Sequence, residues 1–212
     1  FSAWIYRTRM AWQRLADRLA DDDGPVALLS RHFFAWYAPR FVAKSFALAR
    51  QDEFEADRVA KNLLGADVME SALKEMEIKS AWLADAFWPW HWRRAQRHAL
   101  PKGPMHALKR RLAEPPPVRF AQDALEQAWR RLAEVDDTHP ALRERIEALQ
   151  PAARRSLPTW SRDPAVRLLG RELAETLAER FAAAWCRTHA ADWKLHHQDL
   201  LRWTARRDEL QH

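Results

Sequence analysis

The sequence predicts an all-α protein, an irregular multi-helix bundle, and three observations carry that expectation. Only 4 of the 212 residues are glycine. Ala, Leu, Arg and Glu, the residues that lose least on entering a helix, are abundant. No stretch alternates β-branched and polar residues in the two-residue rhythm of a strand. A chain of this length can bury a sizeable core in one or two domains.

Residues 1–19 read as an amphipathic helix, with Trp4, Ile5, Trp12, Leu15 and Leu19 sharing a face. The run Ala20-Asp21-Asp22-Asp23-Gly24-Pro25 breaks it. Apolar residues resume at Val26, and Pro39 marks a kink or a fresh start. Helical spacing continues to Leu64, and Gly65 stands where a left-handed C-terminal cap belongs. Asp67 can cap the next helix, which reaches to about Phe87, and Pro89 interrupts a tryptophan cluster. A short helix over 106–113 lies between two Pro-rich stretches, and another follows over 120–133. After the polar turn Asp136-Asp137-Thr138-His139, Pro140 opens a further helix, where its missing N–H leaves no ladder bond broken. Residues 150–164 are the best linker candidate. A helical C-terminal extension over 165–212 is expected beyond it, packed on the part before the linker.

The formal net charge is +6, from 35 basic and 29 acidic residues with the signs interspersed. Such a surface is solvated rather than a nucleic-acid footprint, and no recognition element arrays aromatics and bases. No nucleic-acid partner is expected. The one cysteine, Cys186, excludes an internal disulfide framework and fits a reducing compartment. Its ordinary reading is a small buried hydrophobe. No run reaches the roughly 18 apolar residues of a membrane span, and there is no signal peptide. The chain begins at Phe1, not Met, as expected of a piece of something longer or of a processed product.

Residues 47–65 hold four carboxylates, Asp52, Glu53, Glu55 and Asp57, in an otherwise helical, largely apolar pattern. On a wheel of about 100° per residue with Val42 at zero, Phe46, Ala49, Ala60 and Leu64 fall within roughly 40°. Phe41, Leu48, Val59 and Leu63 flank them. Glu55 lands on the polar face with Arg58. Glu53 lands about 20° from Val42, inside the apolar arc, with Asp57 beside it one turn on. Asp52 falls on the other flank and has no explanation. Burying an ionised carboxylate costs several kcal/mol unless a cation or several donors meet it. Glu53 and Asp57 therefore require a buried partner. The residues alone leave two: an arginine, with Arg50 one turn back, or a metal ion that one carboxylate ligates while the other orients a histidine ligand.

The segment Arg50-Gln51-Asp52-Glu53-Phe54-Glu55-Ala56-Asp57 resembles the second zinc motif of one metallopeptidase family. The family is that of the CAAX prenyl endopeptidase and the bacterial heat-shock peptidase HtpX. A Thr-His-Pro turn with a downstream Arg-aliphatic pair accompanies that motif, and here stand Thr138-His139-Pro140 and Arg145-Ile146. The resemblance spans about residues 1–149. It implies the C-terminal part of a gluzincin-type peptidase domain, one zinc ion and a polypeptide substrate. By the resemblance, Glu53 is a zinc ligand and Asp57 supports a ligand histidine. His139 approaches the oxyanion of the tetrahedral intermediate or gates the metal, and Arg145 binds substrate or holds the site. Many relatives are associated with membranes, so the zinc-binding half of the parent is expected on the cytoplasmic side of a bacterial membrane.

One departure matters. The first zinc motif, His-Glu-x-x-His, supplies two ligands and the general base, and none of the 9 histidines begins one. The family's order places it upstream of Glu53, just before Phe1. The 212 residues are expected to be inactive alone, the missing N-terminal part being a partner within the same protein. His189, His196 and His197 offer no substitute on spacing alone, because His189 and His196 are about two turns apart. A reading from a different class is a non-catalytic helical module. It would dock on a protein or a membrane through Trp82, Trp88, Trp90 and Trp92 and the basic residues that follow them.

Overall fold

A computed structural model describes residues 7–8, 10–12, 14–15, 17–18, 24–133, 137, 139–150, 155–160 and 166–210. Among them every regular element is helical, as expected. The described positions of 7–18 are helical. Then come α1 (Pro25–Leu64), α2 (Ala66–Trp82), a π-turn (Leu83–Phe87), α3 (Trp88–Arg93) and a 3-10 turn (Arg94–Gln96). Further along lie α4 (Met105–Ala113), α5 (Val118–Arg130), α6 (Leu142–Leu149), α7 (Val166–Leu169), α8 (Arg171–Thr188) and α9 (Ala190–Leu210). No helix among the described residues is long and apolar enough to cross a membrane.

Pro39 neither starts nor ends a helix. It lies inside the 40 residues of α1, which instead begins with Pro25 in its first turn. An internal proline removes one ladder donor and crowds the preceding turn. The carbonyl left without its donor is that of Ala35, and the Arg40 side chain donates to the next one, Trp36, 2.5 Å away. At the other end, Gly65 has φ 90° and ψ 155°, so the glycine is required for its positive φ but the cap is not the left-handed one expected. Its N–H donates to the Lys61 carbonyl at 2.8 Å. The buried arc of α1 is narrower than the wheel suggests. Phe46 is buried, whereas Val59, Leu63 and Leu64 are exposed, and so is Asp52. Glu55 pairs with Arg58 on the solvent side.

The chain divides into two compact units, each made from two stretches. One comprises Phe1–Leu73 and Glu126–Ser156. In it α1 packs along α6, and Phe46, Trp129, Leu142, Ile146 and Leu149 are buried. Lys61 of α1 donates to the Leu149 carbonyl at 2.5 Å, satisfying an acceptor that the last turn of α6 leaves without a helical donor.

The other unit comprises Lys74–Leu125 and Leu157–His212. Its centre is aromatic. Trp88 stacks on Trp185, Trp92 and Trp185 lean on the fully buried Trp193, and Trp82 meets Phe120 edge to face. The Trp193 indole N–H donates to the His98 carbonyl at 2.8 Å. The tryptophans expected to form a docking surface are thus half-buried and engaged with other rings of this unit. Cys186 is half-buried, with its thiol 3.6 Å from the Pro101 carbonyl. The segment before α4 passes so close to α8 that a Cβ on Gly103 would lie 2.5 Å from that of Ala182.

Candidate active site

Glu53 and Asp57 are one helical turn apart on α1, so both project from the same side. The residues that meet them arrive 86 and 88 positions later, from the start of α6 and the turn before it. Glu144 steadies that start by accepting the Ala141 N–H at 3.0 Å, and Pro140, Ala141 and Leu142 are buried around it. These constraints fix where Arg145 projects.

The Arg145 guanidinium donates to both oxygens of Asp57, at 2.7 and 2.6 Å. Its remaining terminal nitrogen lies 3.1 Å from Glu53 Oε2. The other Glu53 oxygen, Oε1, is 3.1 Å from Nδ1 of His139. Side-chain exposure rises along this file, from 3% at Asp57 through 12% at Arg145 and 30% at Glu53 to 69% at His139. The buried end is a two-pronged ion pair of the kind that offsets the desolvation of a carboxylate. The open end presents one carboxylate and one imidazole to solvent.

All four residues singled out in the sequence therefore lie together. The cation that meets Asp57 is an arginine, supplied by α6. Arg50, the candidate on the same helix, is not what grips Asp57 in this file. Each Asp57 oxygen retains a second lone pair beyond the one Arg145 uses. With Nδ1 turned to Glu53, the Nε2 edge of His139 remains for another partner.

A catalytic zinc ion takes three protein ligands and keeps one position for water. Among the described residues, no group of three or more His, Cys, Asp or Glu side chains is placed to hold a metal ion. The residues described do not make a zinc site by themselves, and Glu53 offers a single ligand. The C-terminal histidines do not gather into one either. His189 Nδ1 faces the Trp185 carbonyl at 3.0 Å, His197 Nδ1 faces the Ala95 carbonyl at 2.5 Å, and His196 sits on the Trp92 ring.

Sequence reasoning missed His91. It is fully buried in the other unit, ringed by Phe87, Trp88, Trp90, Trp185 and Trp193. Neither ring nitrogen has a hydrogen-bond partner. Burial, and then the charge of Arg94, push its pKa down from 6.5 to about 4. The Lys102 backbone pulls weakly the other way without reaching hydrogen-bond geometry. The signal was present in the run Trp88-Pro89-Trp90-His91-Trp92, a polar ring between four bulky apolar ones.

Comparison with known proteins gives a family. Neither a curated protein nor a solved structure matches the chain. The family model described as Peptidase family M48 matches residues 4–153, more than half of the chain and all of the Glu53, Asp57, His139 and Arg145 cluster. The chain belongs to Peptidase family M48, a family of zinc-dependent metallopeptidases.

Proposed function

We propose that residues 1–149 are the C-terminal part of a zinc metalloendopeptidase domain, with 150–164 as linker and 165–212 as a helical extension. In this reading Glu53 is one of the protein ligands of the zinc. The two histidine ligands and the general base come from a His-Glu-x-x-His segment that the 212 residues do not contain. The zinc supplies an activated water and a charge that polarises the peptide carbonyl. This chain adds one ligand, the residues that hold it and a donor beside it. Arg145 holds the Glu53 carboxylate at one oxygen, and Asp57 holds Arg145. Asp57 also has acceptor capacity left to orient a ligand histidine. His139, at the solvent-facing end, presents a ring that can donate to a carbonyl oxygen as negative charge builds there.

One observation supports the reading above the others. Two short motifs more than 80 residues apart converge on a single hydrogen-bonded file whose buried end is fixed and whose open end carries a carboxylate beside a histidine. A bare structural ion pair needs Asp57 and Arg145; it has no use for an outward-facing Glu53 and His139. The substrate is a polypeptide by family, and the cytoplasmic side of a bacterial membrane is proposed for the parent.

Two measurements test this. In the intact parent, Glu53→Ala should lose bound zinc and casein cleavage together; full zinc content with full activity would remove Glu53 from the ligand set. The 212-residue chain should retain no stoichiometric zinc after dialysis against a weak chelator. Tight, stoichiometric zinc would place a complete site within these residues and overturn the division proposed.

A further inference from the structure

The first half of α1 carries an outward face that the peptidase reading does not use. Leu28, Leu29, Phe33 and Trp36 are 55%, 75%, 51% and 58% exposed. On the helix wheel Phe33, Trp36, Arg40 and Lys44 all fall within roughly 60° of Leu29, so apolar side chains give way to cations along one ridge. Arg40 and Lys44 are exposed, and the Arg40 guanidinium lies 4.7 Å from the centre of the Trp36 ring. Residues 25–50 contain Arg31, Arg40, Lys44 and Arg50 and not one Asp or Glu. The acidic run Asp21 to Asp23 precedes the helix and lies outside the described residues. Behind the ridge, Phe33 stacks on Tyr37, and Trp12 packs on Phe34, Tyr37 and Phe41. The exposed rings thus stand on a firm aromatic base.

From this face we infer that α1 docks on an anionic lipid surface. Leucine and aromatic side chains at successive turns suit the boundary between headgroups and acyl chains, and an indole flanked by a guanidinium suits the headgroup layer. The cations without any intervening carboxylate fit anionic headgroups by charge. A second copy of the chain fits less well, because pairing this face with itself sets Arg40 and Lys44 against the same acid-free segment. The docking is superficial, since no described helix can span a membrane.

The test is flotation of the 212-residue chain with vesicles at low salt. Binding is expected to phosphatidylcholine vesicles containing phosphatidylglycerol and to weaken as salt screens the attraction. Leu29→Ser with Trp36→Ser should lower the affinity at least about tenfold, and Arg40→Glu with Lys44→Glu should do the same. Circular dichroism and the thermal midpoint check that each pair remains folded. The charge pair lies in solvent and keeps the test decisive if the apolar pair misfolds. Glu53→Ala should bind vesicles as the wild type does, which separates this surface from the peptidase reading. Failure of the wild type to float, equal binding to phosphatidylcholine alone, or binding that neither pair alters would overturn the inference. So would wild-type self-association in place of flotation, abolished by Leu29→Ser with Trp36→Ser.

Discussion

Arg145 lays its guanidinium across both oxygens of Asp57, at 2.7 and 2.6 Å, and joins residues 88 positions apart. Asp57 is 2% exposed, so water cannot replace this contact. Removing one partner strands the other. Arg145→Ala should destabilise the chain by about 3–5 kcal/mol, as expected for an uncompensated buried charge. Arg145→Lys should recover only part of that, because an ammonium cannot grip two oxygens in one plane. Urea unfolding followed by circular dichroism measures both. A loss below about 1 kcal/mol for Arg145→Ala would mean that solvent reaches Asp57 after all.

Glu53 is predicted to behave differently, although it touches the same arginine. It is partly open to water, so Glu53→Gln should cost less than about 1 kcal/mol of stability. The same change should abolish zinc-dependent cleavage in the intact parent. A stabilising residue and a functional residue one helical turn apart would then separate cleanly: Asp57→Asn lowers the unfolding midpoint, and Glu53→Gln lowers activity at an unchanged midpoint. Equal unfolding losses for the two would make Glu53 structural.

His91 links stability to pH. Its folded pKa is lowered from 6.5 to about 4, so on acidification the unfolded chain takes up a proton at this ring before the folded chain does. Its contribution is intact above the unfolded pKa and declines as pH falls from about 6.5 towards 4, by up to about 3 kcal/mol. His91→Phe should flatten this part of the stability–pH curve, with little change at pH values above neutrality. Urea midpoints of the two proteins across this range provide the comparison. Parallel curves would show that the ring titrates normally in the folded state.

Gly103→Ala should destabilise the second unit by about 1–3 kcal/mol, the usual cost of forcing an extra carbon into a packed contact. Its new Cβ would meet Ala182 at 2.5 Å from the Cβ and 3.1 Å from the Cα. Ala182→Gly alone removes that obstruction at roughly the 1 kcal/mol penalty of a helical glycine. In a double-mutant cycle of thermal midpoints, the two changes together should cost less than their sum. Strict additivity would mean that the backbone yields instead.

The helical class and most helix positions were legible because length and spacing govern them. That Glu55 and Arg58 share the solvent side was legible for the same local reason. Proline at 39 left a kink or a fresh start open; it lies inside α1, where its ring supplies no N–H to the Ala35 carbonyl, and spacing alone does not decide between the two. The identity of the cation beneath Asp57 was hidden from the wheel. Arg50 and Arg145 are chemically equal candidates, and only the packing of α6 on α1 chooses between them. The tryptophans misled in another way: a ring bound for a surface and a ring bound for a core have the same composition. Trp88 and Trp92 are half-buried because Trp185 and Trp193, about 100 residues later, come to meet them.

The π-turn Leu83–Phe87 is a correction of phase. Ile78 and Phe87 are both interior, at 0% and 3% exposure. Nine residues of unbroken α-helix would set them about 180° apart, on opposite sides. The one surplus residue of a π-turn brings them to within roughly 80°. Wound as regular α-helix with every residue kept, this stretch would have a worse interior: Phe87, His91 and Ala95 would swing together by about 100°, and the ring of tryptophans would close around nothing.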